Sequence, residues 1–340
     1  MNLFGLSGKD IGIDLGTGTT LVAIKNEGIV KNEPSVIALD KKKKNVVAIG
    51  EEAKEMLGKT PDNIIAVKPL KNGVIADLTA AELMLKEIIM DLRKKKLIGR
   101  PRVVIGIPSG VTEVERRAVE EAVYDAGARQ VFLVDEPLAA AIGSNLNIGE
   151  PSGNLIVDIG AGVTEVAVIS LGGIVLTSST YSGGDELDEK IIEYIRKNKR
   201  IEIGEVEAER IKMEIGNAKP GSIEKIEAKG RDLSSGFPVT FVVDSYEIEE
   251  AIRKSISKII NAIKITLEKT PPELVADITE KGITLCGGGA LLKRFDELIA
   301  YEIGIPVYIS SNPLNSVAYG TERILEDTTK IKGLVSKRYK

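Results

Sequence analysis

The 340-residue sequence has no histidine and a single cysteine, Cys286. Without histidine there is no Ser-His-Asp nucleophile, no imidazole zinc ligand and no imidazole acid–base catalyst. One cysteine excludes an internal disulfide and a cysteine-cluster metal site, and it fits a reducing, cytoplasmic setting. No apolar run approaches the roughly 18–20 residues of a membrane span, and the first residues carry no signal-peptide pattern. Nor does charge of one sign dominate. The 46 Lys+Arg stand against 50 Asp+Glu, a net −4, which argues against a dedicated nucleic-acid binder. Any chemistry must rest on carboxylates, hydroxyls, lysines, backbone amides or a bound metal ion.

What is present suits a packed protein of about two domains: the chain is 43% hydrophobic and 28% charged. Its informative feature is a duplication. Residues 11–24 read IGIDLGTGTTLVAI and residues 155–168 read LIVDIGAGVTEVAV. Placing Asp14 on Asp158 also places Gly16 on Gly160, Gly18 on Gly162 and Thr20 on Thr164. β-Branched residues flank the glycines with near alternation, so each copy reads as a β-hairpin.

A second correspondence follows. RVVIGI (Arg102–Ile107) reads as a buried strand, Thr112 to Asp125 as a helix, Gln130–Val134 as a strand, and EPLAAAIG (Glu136–Gly143) as the opening of a helix. Later, GITLC (Gly282–Cys286) reads as a strand, GGGALLKRFDELIAYE as one glycine-led helix and IPVYIS as a strand. NPLNSVAYG (Asn312–Gly320) then opens the last helix. The expected fold is α/β, with two similar lobes (1–150 and 151–340) facing each other across a cleft. Each lobe is expected to carry an insert, at about 30–100 and 185–275.

The two glycine hairpins have two readings. Glycine accepts positive φ, so each stretch serves as a tight turn. Paired at equivalent places, they also present backbone N–H groups and threonine hydroxyls, which suit a phosphate chain. Neither is a P-loop or a Rossmann fingerprint, because no GxxxxGK[ST] occurs and the glycines do not lead into a helix. Asp14 and Asp158, at strand ends, either cap their turns or hold a divalent ion through water, as Mg²⁺ prefers. Glu136, after a strand and before Pro137, either complements a helix dipole or orients an attacking water. The glycines of CGGGALL either let a helix pack on a strand or let a ribose or flat ring lie on bare backbone. Glu209 and Lys212 share a helix face, as an i,i+3 salt bridge would.

Together, IDLGTGTT, EPLAAAIGSNL, VDIGAGVTEVAVISLG, ERIKMEIGNA, LEKTPPELVADI and LCGGGALL resemble the actin/Hsp70/sugar-kinase ATPase superfamily and, within it, the bacterial actin homologues MreB and Mbl. IVKNEPSVIA, KNGVIADL and GVTEVERRAV extend the likeness from about Lys9 to Glu326. The resemblance implies a duplicated actin-like (ribonuclease H-like) fold with ATP or ADP and Mg²⁺ in the cleft. By motif, Gly16, Thr17, Gly18, Thr19 and Thr20 would form one phosphate loop. Gly160, Ala161, Gly162, Val163 and Thr164 would form the other, with Asp14 and Asp158 near the metal. Glu136 would position the hydrolytic water, assisted by Thr164. Adenosine and ribose would lie on Glu209, Arg210, Ile211 and Lys212 and on Gly287, Gly288, Gly289, Ala290 and Leu291.

The resemblance further implies weak ATP hydrolysis coupled to polymerisation into polar protofilaments that pair antiparallel. These would lie on the inner face of the plasma membrane and organise cell-wall synthesis and rod shape with shape-determining membrane proteins. Family members usually carry loops like GTANT and GGGTT, where this chain has GTGTT and GAGVT. Val163 thus removes a hydroxyl, and the expectation is retained nucleotide binding with weakened γ-phosphate contact or slowed hydrolysis. Two apolar–basic segments suit an anionic leaflet: Leu3, Phe4 and Leu6 before Lys9, and Leu97 and Ile98 within RKKKLIGRPR. Taken as bare sequence, they read equally as a frayed terminus and a solvated loop. The basic tail KIKGLVSKRYK reads as flexible. Two alternatives share the fold. A small-molecule kinase needs an acceptor pocket with an Asp base, for which the inserts offer no candidate, and a chaperone-like ATPase needs a peptide-binding domain.

Overall fold

The computed structural model describes residues 9–42, 45–71, 73–95, 99–221 and 223–326. They fall into two compact units. The first runs to Glu150 and also holds Leu171–Gly173 and the chain from Asn315 on; the second is Pro151–Ser170 with Ile174–Leu314.

The first unit begins with β1 (Ile11–Leu15), β2 (Thr19–Ile24) and β3 (Gly28–Pro34). It continues through β4 (Ile37–Asp40), β5 (Val46–Ile49), α1 (Glu51–Glu55), β6 (Ile64–Val67), β7 (Leu70–Lys71) and β8 (Val74–Ile75). Then come α2 (Leu78–Lys94), β9 (Arg102–Ile107), α3 (Glu113–Asp125), β10 (Gln130–Asp135) and α4 (Glu136–Gly143). Its main sheet has the order β10-β9-β1-β2-β3. The β1–β2 and β2–β3 pairs are antiparallel, and β1–β9 and β9–β10 are parallel.

Asp77 caps α2 by accepting from the Ala80 N–H, and Thr112 and Glu115 close a capping box on α3. One face of α2 (Met84, Leu85, Ile88, Ile89) is fully buried against Ile11, Ile13 and Ile105 of the sheet. Each such side chain contributes about 1.5–3 kcal/mol. The stretch expected as an insert therefore divides. Residues 28–34 complete the main sheet and α2 lies on its core, while the small β5-β4-β6 sheet has a core of its own around Val36, Ala38, Ala48 and Ala53.

The second unit repeats this plan with β11 (Asn154–Ile159), β12 (Thr164–Ser170) and β13 (Gly173–Thr180). Next come α5 (Gly184–Lys199), β14 (Ile201–Glu202), α6 (Glu205–Ile215), β15 (Lys225–Asp232), β16 (Pro238–Asp244), α7 (Ser245–Lys269), α8 (Pro272–Lys281), β17 (Ile283–Cys286), α9 (Phe295–Ile303) and β18 (Val307–Ile309). Its sheet order is β13-β12-β11-β17-β18, strand for strand the order of the first. The core gathers Val157, Ile159, Val166, Ile191, Ile211, Ile256, Leu285 and Phe295.

Two expectations change. The glycine-led helix after Cys286 is a 3-10 turn at Gly288–Leu291 followed by α9. The break falls at Arg294, whose φ of 61° is left-handed and ends any continuous helix. The last helix, α10 (Ser316–Glu326), belongs to the first unit, where chain order alone assigns it to the second. Arg323 of α10 donates to the C-terminal carbonyls of α4 at Ile142 and Gly143, and Glu322 accepts from the N–H groups of Asn26 and Gly28.

Candidate functional site

The two hairpins have the same register. Leu15 pairs with Thr20 and Ile159 with Thr164. Each loop is closed by the same bond, Gly16 N–H to Thr19 O at 3.2 Å and Gly160 N–H to Val163 O at 3.0 Å. That turn accounts for one amide per loop. The N–H groups of Thr17 and Gly18, and of Ala161, Gly162 and Val163, donate no hydrogen bond among the described residues. Successive amides of this kind form the concavity that oxyanions occupy.

The loop carbonyls, in contrast, are tied back. In the first loop Ser35 does this twice, through Oγ to Gly16 O at 2.6 Å and through N–H to Gly18 O at 2.9 Å. The Thr20 hydroxyl lies 2.8 Å from Ser35 Oγ, and Thr17 Oγ1 accepts from the Gly73 N–H. In the second loop the first amides of α5 do the same work: Gly184 N–H meets Gly160 O at 3.0 Å and Asp185 N–H meets Ala161 O at 2.8 Å. Thr164, fully buried, donates its hydroxyl to Ser182 O at 2.6 Å. It can still accept a bond but has no proton left to give. Thr19 is exposed, and Ala161 and Val163 are half-buried.

The two aspartates occupy equivalent register positions. Asp14 stands between Leu21 and Gly106, and Asp158 between Glu165 and Cys286. Burial pushes the Asp158 carboxyl up to about 6, against the opposing pull of a hydrogen bond from Cys286. On the first sheet, a methyl at Gly106 would meet Val317 Cγ1 at 2.8 Å and Glu136 Cγ at 3.5 Å. The glycine thus leaves room for the buried stem of Glu136, one strand from Asp14. Asp135, directly before Glu136, makes a buried ion pair with Arg116 of α3 at 2.8 Å. Among the described residues no three acidic or cysteine side chains come close enough to hold a metal ion. Hard carboxylate oxygens without a protein cage fit a cation such as Mg²⁺, which keeps most of its ligands as water and phosphate.

On the predicted adenosine side, the side chains diverge. Arg210 turns to Glu207, Glu214 and Glu227 O, and Ile211 lies in the core. Lys212 crosses to α5, where Nζ donates to Gly184 O and Asp188 Oδ2. The pairing of Glu209 with Lys212 expected from spacing therefore gives way to a Lys212–Asp188 pair, while Glu209 stays half-buried. Gly287 and Gly289 answer to packing. A methyl on either would fall within 2.6 Å of Ile159, and Gly287 also has φ of 77°. Ala290 is buried, Gly288 borders Leu314 and Leu291 is exposed.

The membrane-contact candidates Leu3, Phe4, Leu6, Leu97 and Ile98 lie outside the described residues. Among the described residues no helix is long and apolar enough to cross a membrane. Sequence reasoning missed Ser35, the α5 amides, the Arg116–Asp135 pair and Asp188. Only the α5 start left a readable signal, a Gly-Gly pair ahead of the acidic turn DELDE.

The family model for MreB/Mbl protein matches residues 8–333. The cell shape-determining protein Mbl of Bacillus subtilis is 48% identical over 324 residues, 95% of this chain and 97% of that one. The cell shape-determining protein MreB of Escherichia coli is 49% identical over 328 residues, 95% and 94% of the two chains. Among solved structures, Spiroplasma citri MreB5 bound to ADP superposes with a TM-score of 0.88 at 39% identity, covering 95% of this chain and 97% of that one. A chain of the MamK double helical filament superposes at 0.78 and 22% identity over 93% and 98%, a likeness of fold alone. The fold is the actin-like one that the motifs imply, and the chain belongs to the MreB/Mbl family.

Proposed function

We propose that this protein is a nucleotide-binding, filament-forming cytoskeletal protein that determines cell shape. The observation that carries the reading is the pair of hairpins of identical register, each offering amides without partners beside a strand-end aspartate. In this reading residues 16–20 and 160–164 bind the phosphates of ATP or ADP. Asp14 and Asp158 hold the water shell of a Mg²⁺ ion, which neutralises phosphate charge, and Glu136 orients the water that attacks. Thr164 accepts a hydrogen bond rather than donating one, because its proton is engaged.

Support comes from the S. citri relatives solved with ADP and with AMPPNP and from relatives named for cell shape. Those names do not favour a small-molecule kinase or a chaperone-like ATPase. Polar protofilaments pairing antiparallel on the cytoplasmic face of the membrane, with wall-synthesis proteins as partners, complete the proposal. Its membrane arm rests on Leu3, Phe4, Leu6, Leu97 and Ile98.

Sedimentation with and without ATP·Mg²⁺, and with and without anionic liposomes, tests it. Nucleotide-dependent pelleting is expected, with liposome pelleting lost on deleting residues 2–7 and changing Leu97 and Ile98 to Ser. A protein that stays in solution with ATP·Mg²⁺, or turns ATP over only with a small acceptor, overturns the filament reading. Unchanged liposome pelleting of the variant overturns the membrane arm.

A further inference from the structure

Lys212 does its work away from its own helix. Its Nζ donates to Gly184 O at 3.0 Å, on the first turn of α5, and to Asp188 Oδ2 at 2.8 Å, one turn further along. Asp188 is only 8% exposed, and its second oxygen, Oδ1, is buried with no hydrogen-bond partner among the described residues. Burial pushes this carboxyl up to about 6; Lys212 opposes the shift, and the neighbouring Glu209 and Asp185 add to it. Buried ion pairs are often replaceable by well-packed apolar side chains without loss of stability. What this pair adds is the place at which it holds Gly184.

The carbonyl of Gly184 and the N–H of Asp185 belong to one peptide group. Lys212 bonds the carbonyl end, and the N–H end donates to Ala161 O, while the preceding amide, Gly184 N–H, donates to Gly160 O. A cation on the carbonyl polarises the peptide and strengthens the bond at its other end. The second loop is thus tied to α6 through a continuous series, Asp188 to Lys212 to the 184–185 peptide to Ala161, with Gly160 held beside it by the amide of the preceding peptide.

We propose that Asp188 is a positioning residue for nucleotide binding, orienting Lys212 so that the start of α5 holds the second phosphate loop in its binding shape. The inference rests on the reading of residues 160–164 as a phosphate loop.

The test compares wild type, Asp188→Asn and Asp188→Glu for equilibrium binding of ATP and AMP, and for hydrogen exchange of the Gly184 and Asp185 amides without nucleotide. In Asp188→Asn, ATP affinity should fall about tenfold while AMP affinity changes less than about twofold, the loss of one charge-assisted bond acting on the phosphate loop. The two amides should exchange faster, and Asp188→Glu, which keeps the anion, should recover most of both. Lys212→Arg keeps the cation with altered geometry and should shift the ATP-to-AMP ratio in the same direction, which serves if Asp188→Asn does not fold. Equal losses for ATP and AMP, or faster exchange with unchanged ATP affinity, overturn the inference while leaving the phosphate-loop reading in place. A wild-type protein that binds neither nucleotide overturns both.

Discussion

The two halves build the same hairpin and hold it by different means. In the first, a side chain does most of the work: Ser35 Oγ and N–H cap the loop carbonyls, and its hydroxyl meets Thr20. In the second, main chain holds main chain, with two amides of α5 on two loop carbonyls and Thr164 on the backbone of Ser182. The contrast recurs at the strand starts. Asp10, four residues before Asp14, is gripped by Arg102 at 2.6 Å and Arg129 at 3.1 Å. Its counterpart Asn154 is neutral and donates to Ser152 O. A loop fixed through its backbone tolerates exchanges of its own side chains, and the second loop is the one that carries Ala161 and Val163. The first is expected to be brittle toward single substitutions, the second tolerant.

The largest expected effect lies in the first half. Arg116→Met removes the guanidinium from the buried Asp135 carboxylate at the start of α4. Breaking such a pair from one side costs about 3–5 kcal/mol. Chemical denaturation should register it, and the double variant Arg116→Met/Asp135→Leu should recover much of the loss.

Asp10→Asn comes next and makes the first half resemble the second. Burial by itself would raise the Asp10 pKa, but bonds and charge from Arg102 with a further bond from Arg129 outweigh it, so the pKa lies below the ordinary 3.8. A carboxyl depressed on folding adds stability that is present above its unfolded pKa and is lost as pH falls through the folded one. The variant should therefore lose roughly 1.5–3 kcal/mol near neutrality. Below about pH 4 its stability should fall less steeply than that of wild type. Parallel curves for the two proteins would contradict the assignment of this acid limb to Asp10.

How much of this was legible beforehand follows the same divide. Local pattern announced the hairpins, because β-branched alternation around paired glycines has few other solutions, and the repeat placed Asp14 and Asp158 at one register. Strand order was not local: β17 joins β11 across more than a hundred residues and β18 follows on the far side of β17, and only the duplication hinted at this. The glycine triplet left two readings open, and the crowding of Gly287 and Gly289 against Ile159 is a contact no spacing rule shows. Likewise, i,i+3 geometry offered Glu209 to Lys212, but a lysine stem reaches as easily to another helix. The amides at the start of α5 left only the Gly-Gly pair ahead of DELDE to read, because that helix start carries no capping side chain. The bracing of the first loop by Ser35 was unreadable, a lone serine after a proline.

Ser35→Ala against Ser182→Ala isolates the comparison at the loops. The first removes both hydroxyl bonds of a fully buried serine and leaves Gly16 O and the Thr20 hydroxyl without it. That should cost roughly 1–3 kcal/mol and lower ATP affinity with it. The second keeps the Ser182 carbonyl that receives Thr164, and loses a bond to Ser255 O instead. Nucleotide titration should find ATP affinity near that of wild type. Equal losses in the two variants would mean that the second loop is no better held than the first.

The smallest effect on stability, and the sharpest on function, belongs to Val163→Thr. Val163 is half-buried and its carbonyl already closes the turn to Gly160, so an isosteric hydroxyl leaves the backbone untouched. Stability should change by less than about 0.5 kcal/mol, as for other near-surface exchanges. The new hydroxyl adds a donor beside three amides that lack partners among the described residues, and in the proposed reading these amides face the phosphates of the nucleotide. A bond to a charged acceptor is worth about 1.5–3 kcal/mol, so ATP binding should tighten about tenfold or more while ADP binding stays near its wild-type value. The same substitution also tests the brittle-against-tolerant contrast. If Val163→Thr unfolds the protein or weakens ADP as well, the second loop depends on its side chains after all, and its backbone clamp by α5 is not what holds it.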